Sequence, residues 1–217
     1  WLLRGFERFF PNITWKILSE ETSKDVGKNH FVSEKWLWVL DPLDGTKDFL
    51  SGSGEYAVHL ALVKENIPII GVVLIPEQNE LWFGIVGHGT WCENRLGQKK
   101  NFNISERRGI ENLVLIASKN HRNSPLEKLL NQIKFKKQNS VGSIGCKICQ
   151  ILKGNSDVYI SLSGLTSPKD WDFAAPSALL IHSNGFISHP NGKELIFNSE
   201  SFEQVGCIVA SKDAINH

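Results

Sequence analysis

The sequence predicts an α/β chain whose first half is an antiparallel meander and whose second half alternates strands with helices. Three observations carry that prediction. Over 56–93, β-rich runs follow one another with only short turns between them. Beyond residue 113, apolar runs alternate with segments of helical periodicity, the signature of layered α/β structure. Between the two, 103–111 is polar and without periodicity, which divides the chain into halves at 1–110 and 111–217. A chain of 217 residues is long enough for one large domain or two small ones.

The elements follow in order. Residues 1–10 read as the end of an amphipathic helix running into Pro11, and Ile17-Leu18 as a short strand that ends at Glu20 and Glu21. The apolar run 36–40 reads as a buried strand that stops at Asp41-Pro42, because Pro42 cannot donate to a strand ladder. Runs 56–63 and 68–75 form a hairpin about Lys64-Glu65-Asn66, and 81–86 and 89–93 continue the meander through Gly87 and Gly89. The second half reads as strand 113–117, helix 125–133, strand 133–138, helix 147–153, strand 158–161 and helix 171–182. Lys134, Lys136 and Lys137 on the third of these runs suit a solvent-facing edge better than a phosphate-binding strand.

Composition narrows the function classes. Hydrophobic content of 41% and charged content of 22% are ordinary for a soluble globular chain. A formal net charge of +1 gives no basic field for a nucleic-acid polymer. Lys64 and Glu65 interrupt the longest apolar candidate well short of the roughly 18 residues a membrane span needs, so no stable membrane insertion is expected. With no signal-peptide pattern, the expectation is a soluble, cytoplasmic chain, in which the sequons at Asn12 and Asn103 carry little meaning. The sequence lacks Met even at position 1, so a processed or incomplete chain is expected. Four cysteines give no disulfide framework. Cys146 and Cys149 form a C-x-x-C that invites a redox or zinc reading, but no second pair or histidine completes it. Ile148, Ile151 and Leu152 place both thiols on an apolar helix instead.

The chemistry concentrates at Asp41-Pro42-Leu43-Asp44-Gly45-Thr46, where two carboxylates, a backbone carbonyl and a hydroxyl meet as the chain leaves a strand. Hard oxygen ligands so crowded suit Mg²⁺, although an ordinary acidic turn uses the same residue types. Two further segments favour the metal: Leu18-Ser19-Glu20-Glu21, and Trp171-Asp172 at the start of an apolar helix, where a carboxylate meets the positive dipole end.

This combination resembles the inositol monophosphatase superfamily of Mg²⁺-dependent, lithium-sensitive phosphomonoesterases, and within it the CysQ group of 3'(2'),5'-bisphosphate nucleotidases. The resemblance runs from about Phe9 to about Gly192 and rests on LSEE at 18–21, DPLDGTKDF at 41–49, SKNH at 118–121 and GCKICQILKGNSDVYI at 145–160. Lys47, followed by an acid and Phe49, is closer to the nucleotidase version than to the inositol version. The resemblance implies a layered α/β/α/β/α sandwich with an antiparallel sheet first and a mixed sheet second, preceded by further N-terminal helices that this sequence lacks. It implies two or three Mg²⁺ ions held by Glu20, Asp41, the Leu43 carbonyl, Asp44 and Asp172. Glu20 and Thr46, with Asp41, would serve the attacking water, and Glu21 would support them. Asp44, Gly45, Thr46, His121, Lys147 and Asp172 would face the substrate.

The implied substrate is a small phosphate ester, adenosine 3',5'-bisphosphate first, with release of its 3'-phosphate to give AMP and so clear a by-product of sulfate assimilation. Inositol monophosphate or another sugar phosphate is the alternative, and a non-catalytic metal- or nucleotide-binding chain the rival of another class. Monomer and homodimer both stay open. His121 also reads as a loop residue capping the next helix, and Lys147 as a solvated lysine at a helix start. Ile144 and Gly145 stand where the family usually has a Ser-Ser pair, leaving Ser143 as the nearest hydroxyl.

Overall fold

The structure, a computed structural model, describes residues 2–9, 11–12, 14–23, 34–102, 104–120, 124–164 and 166–213. Its first sheet has seven strands in sequence order: β1 (Lys16–Ser19), β2 (Trp36–Asp44), β3 (Ala57–Lys64), β4 (Ile67–Ile75), β5 (Glu80–Ile85), β6 (Gly89–Glu93) and β7 (Lys99–Lys100). The meander over β2–β7 is antiparallel as expected, but β1 pairs parallel to β2, so this sheet is mixed. Alternation sorts its faces. Leu37 and Val39 point into the core, whereas Trp36 and Trp38 lie on the other face, where Phe6 of helix α1 (Leu2–Phe9) packs 5.1 Å from Trp38.

The second sheet has five strands, β8 (Val114–Ser118), β9 (Lys137–Val141), β10 (Val158–Leu162), β11 (Phe186–Ser188) and β12 (Cys207–Ser211), in the order β11-β12-β10-β8-β9. Strand β8 runs parallel to both neighbours, while β12 closes the far side antiparallel to β10 and β11. Besides the five-residue α2 (Thr46–Leu50), three helices remain: α3 (Ser124–Gln132), α4 (Ile144–Leu152) and α5 (Asp170–Ile181). Helices α4 and α5 fill the space between the sheets, with α3 outside the second sheet and α1 outside the first, an α/β/α/β/α sandwich.

Helix α5 sits so close to the first sheet that a Cβ at Gly71 would lie 2.4 Å from the Ala175 carbonyl oxygen, and one at Gly84 2.7 Å from that of Ala178. Two glycines and an alanine-rich helix face thus bring the Asp172 end of α5 up to the metal motif. The main apolar core runs from Leu18 in the first half to Ala210 in the second.

Three expectations need correcting. Strand β2 does not stop at Pro42: it continues to Asp44 through a register shift between Asp41 and Asp44, where Pro42 owes no ladder hydrogen bond. The strand expected at 133–138 lies at Lys137–Val141. Ile133 and Phe135 belong instead to the turn after α3, where they pack on a second apolar cluster around Leu126 and Leu130, and that packing mimics strand alternation. Helix α4 begins at Ile144 rather than 147, capped by the Ser143 hydroxyl, which accepts from the Cys146 N–H at 3.2 Å. As expected, β9 is an edge strand and Lys134, Lys136 and Lys137 are exposed. No helix among the described residues is long and apolar enough to cross a membrane.

Candidate active site

The bulge in β2 sets the site. The Leu43 N–H folds back to donate to Asp41 Oδ1 at 2.9 Å, and Gly45 turns the chain out of the sheet with φ 90°, a conformation that strains any residue with a Cβ. A Cβ there would also approach the Glu55 carbonyl oxygen to 2.9 Å. Helix α2 starts at once, with the Gly45 carbonyl accepting from the Asp48 and Phe49 N–H groups at 2.9 Å each. Asp44 reaches across to the second half. Its Oδ2 accepts from the Ser143 hydroxyl and the Ile144 N–H at 2.6 Å each and from the Gly145 N–H at 3.3 Å, so it receives the first N–H groups of α4. Asp172, in the first turn of α5, accepts from the Lys169 N–H at 2.6 Å.

These elements bring Asp41, Asp44 and Asp172 together, with one carboxylate oxygen of each within 4.8 Å of the others. Asp41 is 1% exposed. Burial, then the Asp44 and Asp172 charges, push its carboxyl up to about 9. Burial and Asp44 push Asp172 up to about 7. Among the described residues no lysine or arginine pairs with the three carboxylates; the nearest basic group is His59, whose Nε2 lies 3.3 Å from Asp44 Oδ2. His59 is completely buried, with Nδ1 3.4 Å from the Trp171 carbonyl oxygen, and burial pulls its pKa down, so it supplies little charge. Three crowded carboxylates without a cation of their own fit a divalent metal, whose hard oxygen ligands they would be.

The cluster opens on a cavity of about 570 Å³ that both halves line. Glu20, Leu43, Gly45, Thr46 and Lys47 border it from the first half, and Lys147, Ser118 and Asn120 from the second. Glu20 is exposed just beyond β1, and its charge reaches both Asp41 and Asp172, but its carboxylate stands outside the three-acid cluster. Glu21 is exposed beside it. The Thr46 hydroxyl donates to the Leu43 carbonyl oxygen at 3.3 Å. His121 lies outside the described residues.

Lys147 corrects the picture of a solvated helix-start lysine. It is the fourth residue of α4 and 1% exposed, its ammonium donating to the Val141 and Gly142 carbonyls and lying 5.3 Å above the Tyr159 ring. Burial pulls its pKa down. Gly145 has a packing reason: a Cβ there would lie 2.3 Å from His59 Nε2, so a serine at this position collides with that ring. Ser143 is already committed to Asp44 and to capping α4. Cys146 and Cys149 are buried free thiols, Cys146 pushed up to about 12 by burial, as inert core cysteines are.

Sequence reasoning missed His59, Asp48 and Glu55. His59 looks like one more inward residue of an alternating strand, and Asp48 and Glu55 like solvated charges. The acid at 48 within DPLDGTKDF was the one available signal.

The profile of the inositol monophosphatase family matches residues 6–217. The chain belongs to that family. It is therefore a phosphatase, from a family of metal-dependent hydrolases of small phosphate esters. It is 32% identical over 200 residues to the 3'(2'),5'-bisphosphate nucleotidase CysQ of Buchnera aphidicola, covering 91% of this chain and 70% of that protein. It is 33% identical over 208 residues to CysQ of Escherichia coli K12, covering 94% and 78%. Its fold is similar to the crystal structure of CysQ from Bacteroides thetaiotaomicron, with a TM-score of 0.81 at 24% identity, covering 97% of this chain and 82% of that one.

Proposed function

We propose that this phosphatase is Mg²⁺-dependent and removes the 3'-phosphate of adenosine 3',5'-bisphosphate, with its active site in the cleft between 1–110 and 111–217. The observation that carries the reading is the meeting of Asp41, Asp44 and Asp172, from separate halves, on a cavity whose far wall holds Ser118, Asn120 and Lys147. The nucleotidase names of the relatives about one-third identical support this substrate class.

In this reading Asp41, Asp44, Asp172, Glu20 and the Leu43 carbonyl hold two or three Mg²⁺ ions. Bound there, Mg²⁺ would lower the pKa of a water nucleophile and neutralise phosphate charge. Glu20, exposed at the cavity rim, takes the proton of the attacking water. Thr46 orients that water through its hydroxyl, itself aligned by the Leu43 carbonyl. The backbone N–H groups of Gly45 and Thr46, at the turn made by the positive φ of Gly45, bind the phosphate oxygens. Of the two residues that the resemblance offers for the second phosphate, Lys147 borders the cavity with its ammonium held by the Val141 and Gly142 carbonyls, and His121 lies outside the described residues.

The test is phosphate release, with Mg²⁺ and with or without lithium, from adenosine 3',5'-bisphosphate and inositol 1-phosphate in parallel. Preference for the nucleotide supports the reading. Preference for the inositol ester replaces it with the sugar-phosphate alternative, and release from neither favours a non-catalytic binding chain.

A further inference from the structure

A second acid of the first half also crosses to the second half, and it is not in the metal cluster. Asp48 lies in α2, four residues beyond Asp44, and is 2% exposed. Its Oδ2 accepts from Asn120 Nδ2 at 2.6 Å, and its Oδ1 accepts from the Ser53 hydroxyl at 3.2 Å and lies 3.6 Å from Lys119 Nζ. Glu55 adds a parallel tie: its Oε2 accepts from the Gly142 N–H at 3.1 Å and from Lys119 Nζ at 3.4 Å. Between them the backbone comes so close that a Cβ on Gly142 would lie 2.2 Å from Asp48 Oδ2.

The same residues border the cavity. Asp48, Ser118, Asn120 and Gly142 all line it, and the Gly142 carbonyl receives the Lys147 ammonium. At its other end Asp48 is locked to the metal motif, since its N–H donates to the Gly45 carbonyl. A short hydrogen bond from the exposed Asn120 to the buried Asp48 carboxylate therefore links the motif proposed to hold the reacting phosphate to the wall facing the rest of the substrate.

We propose that Asp48 is a positioning residue for substrate choice: its carboxylate clasps the 118–120 turn to α2 and fixes the span between the reacting phosphate and the wall that receives the second phosphate. The inference rests on the nucleotide-bisphosphate reading above. It predicts that loosening the clasp weakens capture of a bisphosphate and leaves a monophosphate, which does not need the span, almost untouched.

The experiment is steady-state kinetics of the full chain with adenosine 3',5'-bisphosphate and adenosine 3'-monophosphate. The variants are Asp48→Asn, Asn120→Asp and the reciprocal double, with thermal midpoints recorded for each. Asn120→Asp sets two carboxylates against each other and Asp48→Asn keeps an acceptor but removes its charge, whereas the double restores one amide facing one carboxylate with the roles exchanged. Asn120→Asp is expected to raise KM for the bisphosphate about tenfold, the scale of one lost charge-assisted hydrogen bond, and Asp48→Asn about fivefold, the scale of lost charge assistance, each with kcat within about twofold. KM for the monophosphate stays within about twofold, and the double recovers most of the bisphosphate loss.

The proposal is overturned if the singles leave KM for the bisphosphate unchanged, or if the double is as impaired as the two losses combined. It is also overturned if both substrates lose rate equally alongside a lower midpoint, as a merely structural pair would produce. A wild-type chain that turns over neither ester overturns the functional reading and this inference with it. An active wild type without coupling overturns this inference alone.

Discussion

Two buried acidic regions of this molecule are built alike and balanced oppositely. Around Glu80 the chain supplies its own cations: Lys153 Nζ lies 2.7 Å from one carboxylate oxygen, Lys100 Nζ 3.5 Å from the other, and Trp82 Nε1 donates to the carboxylate at 3.0 Å. Around Asp41, Asp44 and Asp172 three acids share one space, and among the described residues no lysine or arginine pairs with them. The Lys147 ammonium, whose charge reaches Asp172, is bonded to the Val141 and Gly142 carbonyls. A buried acid served by chain cations holds structure, whereas one left short of them is a place for a cation from outside. That imbalance is the ground for proposing a metal at the second region.

The largest effect should come from the region that lacks cations. Glu20→Gln removes the proposed proton acceptor while leaving its size, and kcat is expected to fall by about a hundredfold or more at an unchanged thermal midpoint. Full rate in that variant would break the assigned role.

Metal binding gives the next effect. Saturating Mg²⁺ at about 100 times its Kd should stabilise the wild type by about 2.7 kcal/mol, read as a rise in midpoint, and Asp44→Asn should abolish most of that rise. Equal rises in both proteins would show that Mg²⁺ binds elsewhere.

The acids also predict a pH signature. Asp41 and Asp172 are pushed up to about 9 and about 7, far above an unfolded aspartate near 3.8, so the native state holds protons that the unfolded state has released. Their contribution is therefore fully present below about pH 4 and is lost as pH rises through about 7 and then about 9. Midpoints of the chelator-treated protein should decline from mildly acid to alkaline pH, and Mg²⁺ should flatten the decline. A flat profile without metal would remove the electrostatic argument for the site.

The balanced region should respond without reference to metal. Lys153→Met leaves Glu80 with Lys100 alone, and the expected cost is about 2 kcal/mol, below that of a fully orphaned buried charge because Lys153 is partly exposed. The drop should be the same with and without Mg²⁺. Smallest of all is the exposed Lys35–Glu65 pair at 2.8 Å, where Lys35→Ala should not shift the midpoint measurably because water already serves both groups.

Much of this was legible in the chain. The antiparallel meander, the alternation of the second half and the burial of Cys146 and Cys149 follow from periodicity and turn residues. Asp172 in the first turn of α5 follows from an apolar helix that opens with acids. The continuation of β2 past Pro42 was not, because a bulge is a property of two paired strands and the proline rule describes only one. Nor were β11 and β12, short strands in the irregular tail whose pairing is decided by β10. Lys147 is illegible for a related reason: the cap at Ser143 moves the helix start from 147 to 144, and with it a lysine expected to face substrate or solvent becomes a buried ammonium.

The sequence by itself determined which donors are on offer, since LSEE, DPLDGT and WD carry oxygen donors that no packing arrangement can change into anything else. Only the tertiary structure decided that Asp172 crosses to Asp41 and Asp44. It also decided that Asp44 caps α4, that Asp48 clasps Asn120, and that the Lys147 ammonium is bonded to the Val141 and Gly142 carbonyls. The physical reason is range. Periodicity and turn propensity report interactions a few residues apart, while these contacts join positions 72 to roughly 130 residues apart in the chain. Their energies come from burial and from which charges the fold leaves unpaired, neither of which exists until the two sheets close on α4 and α5.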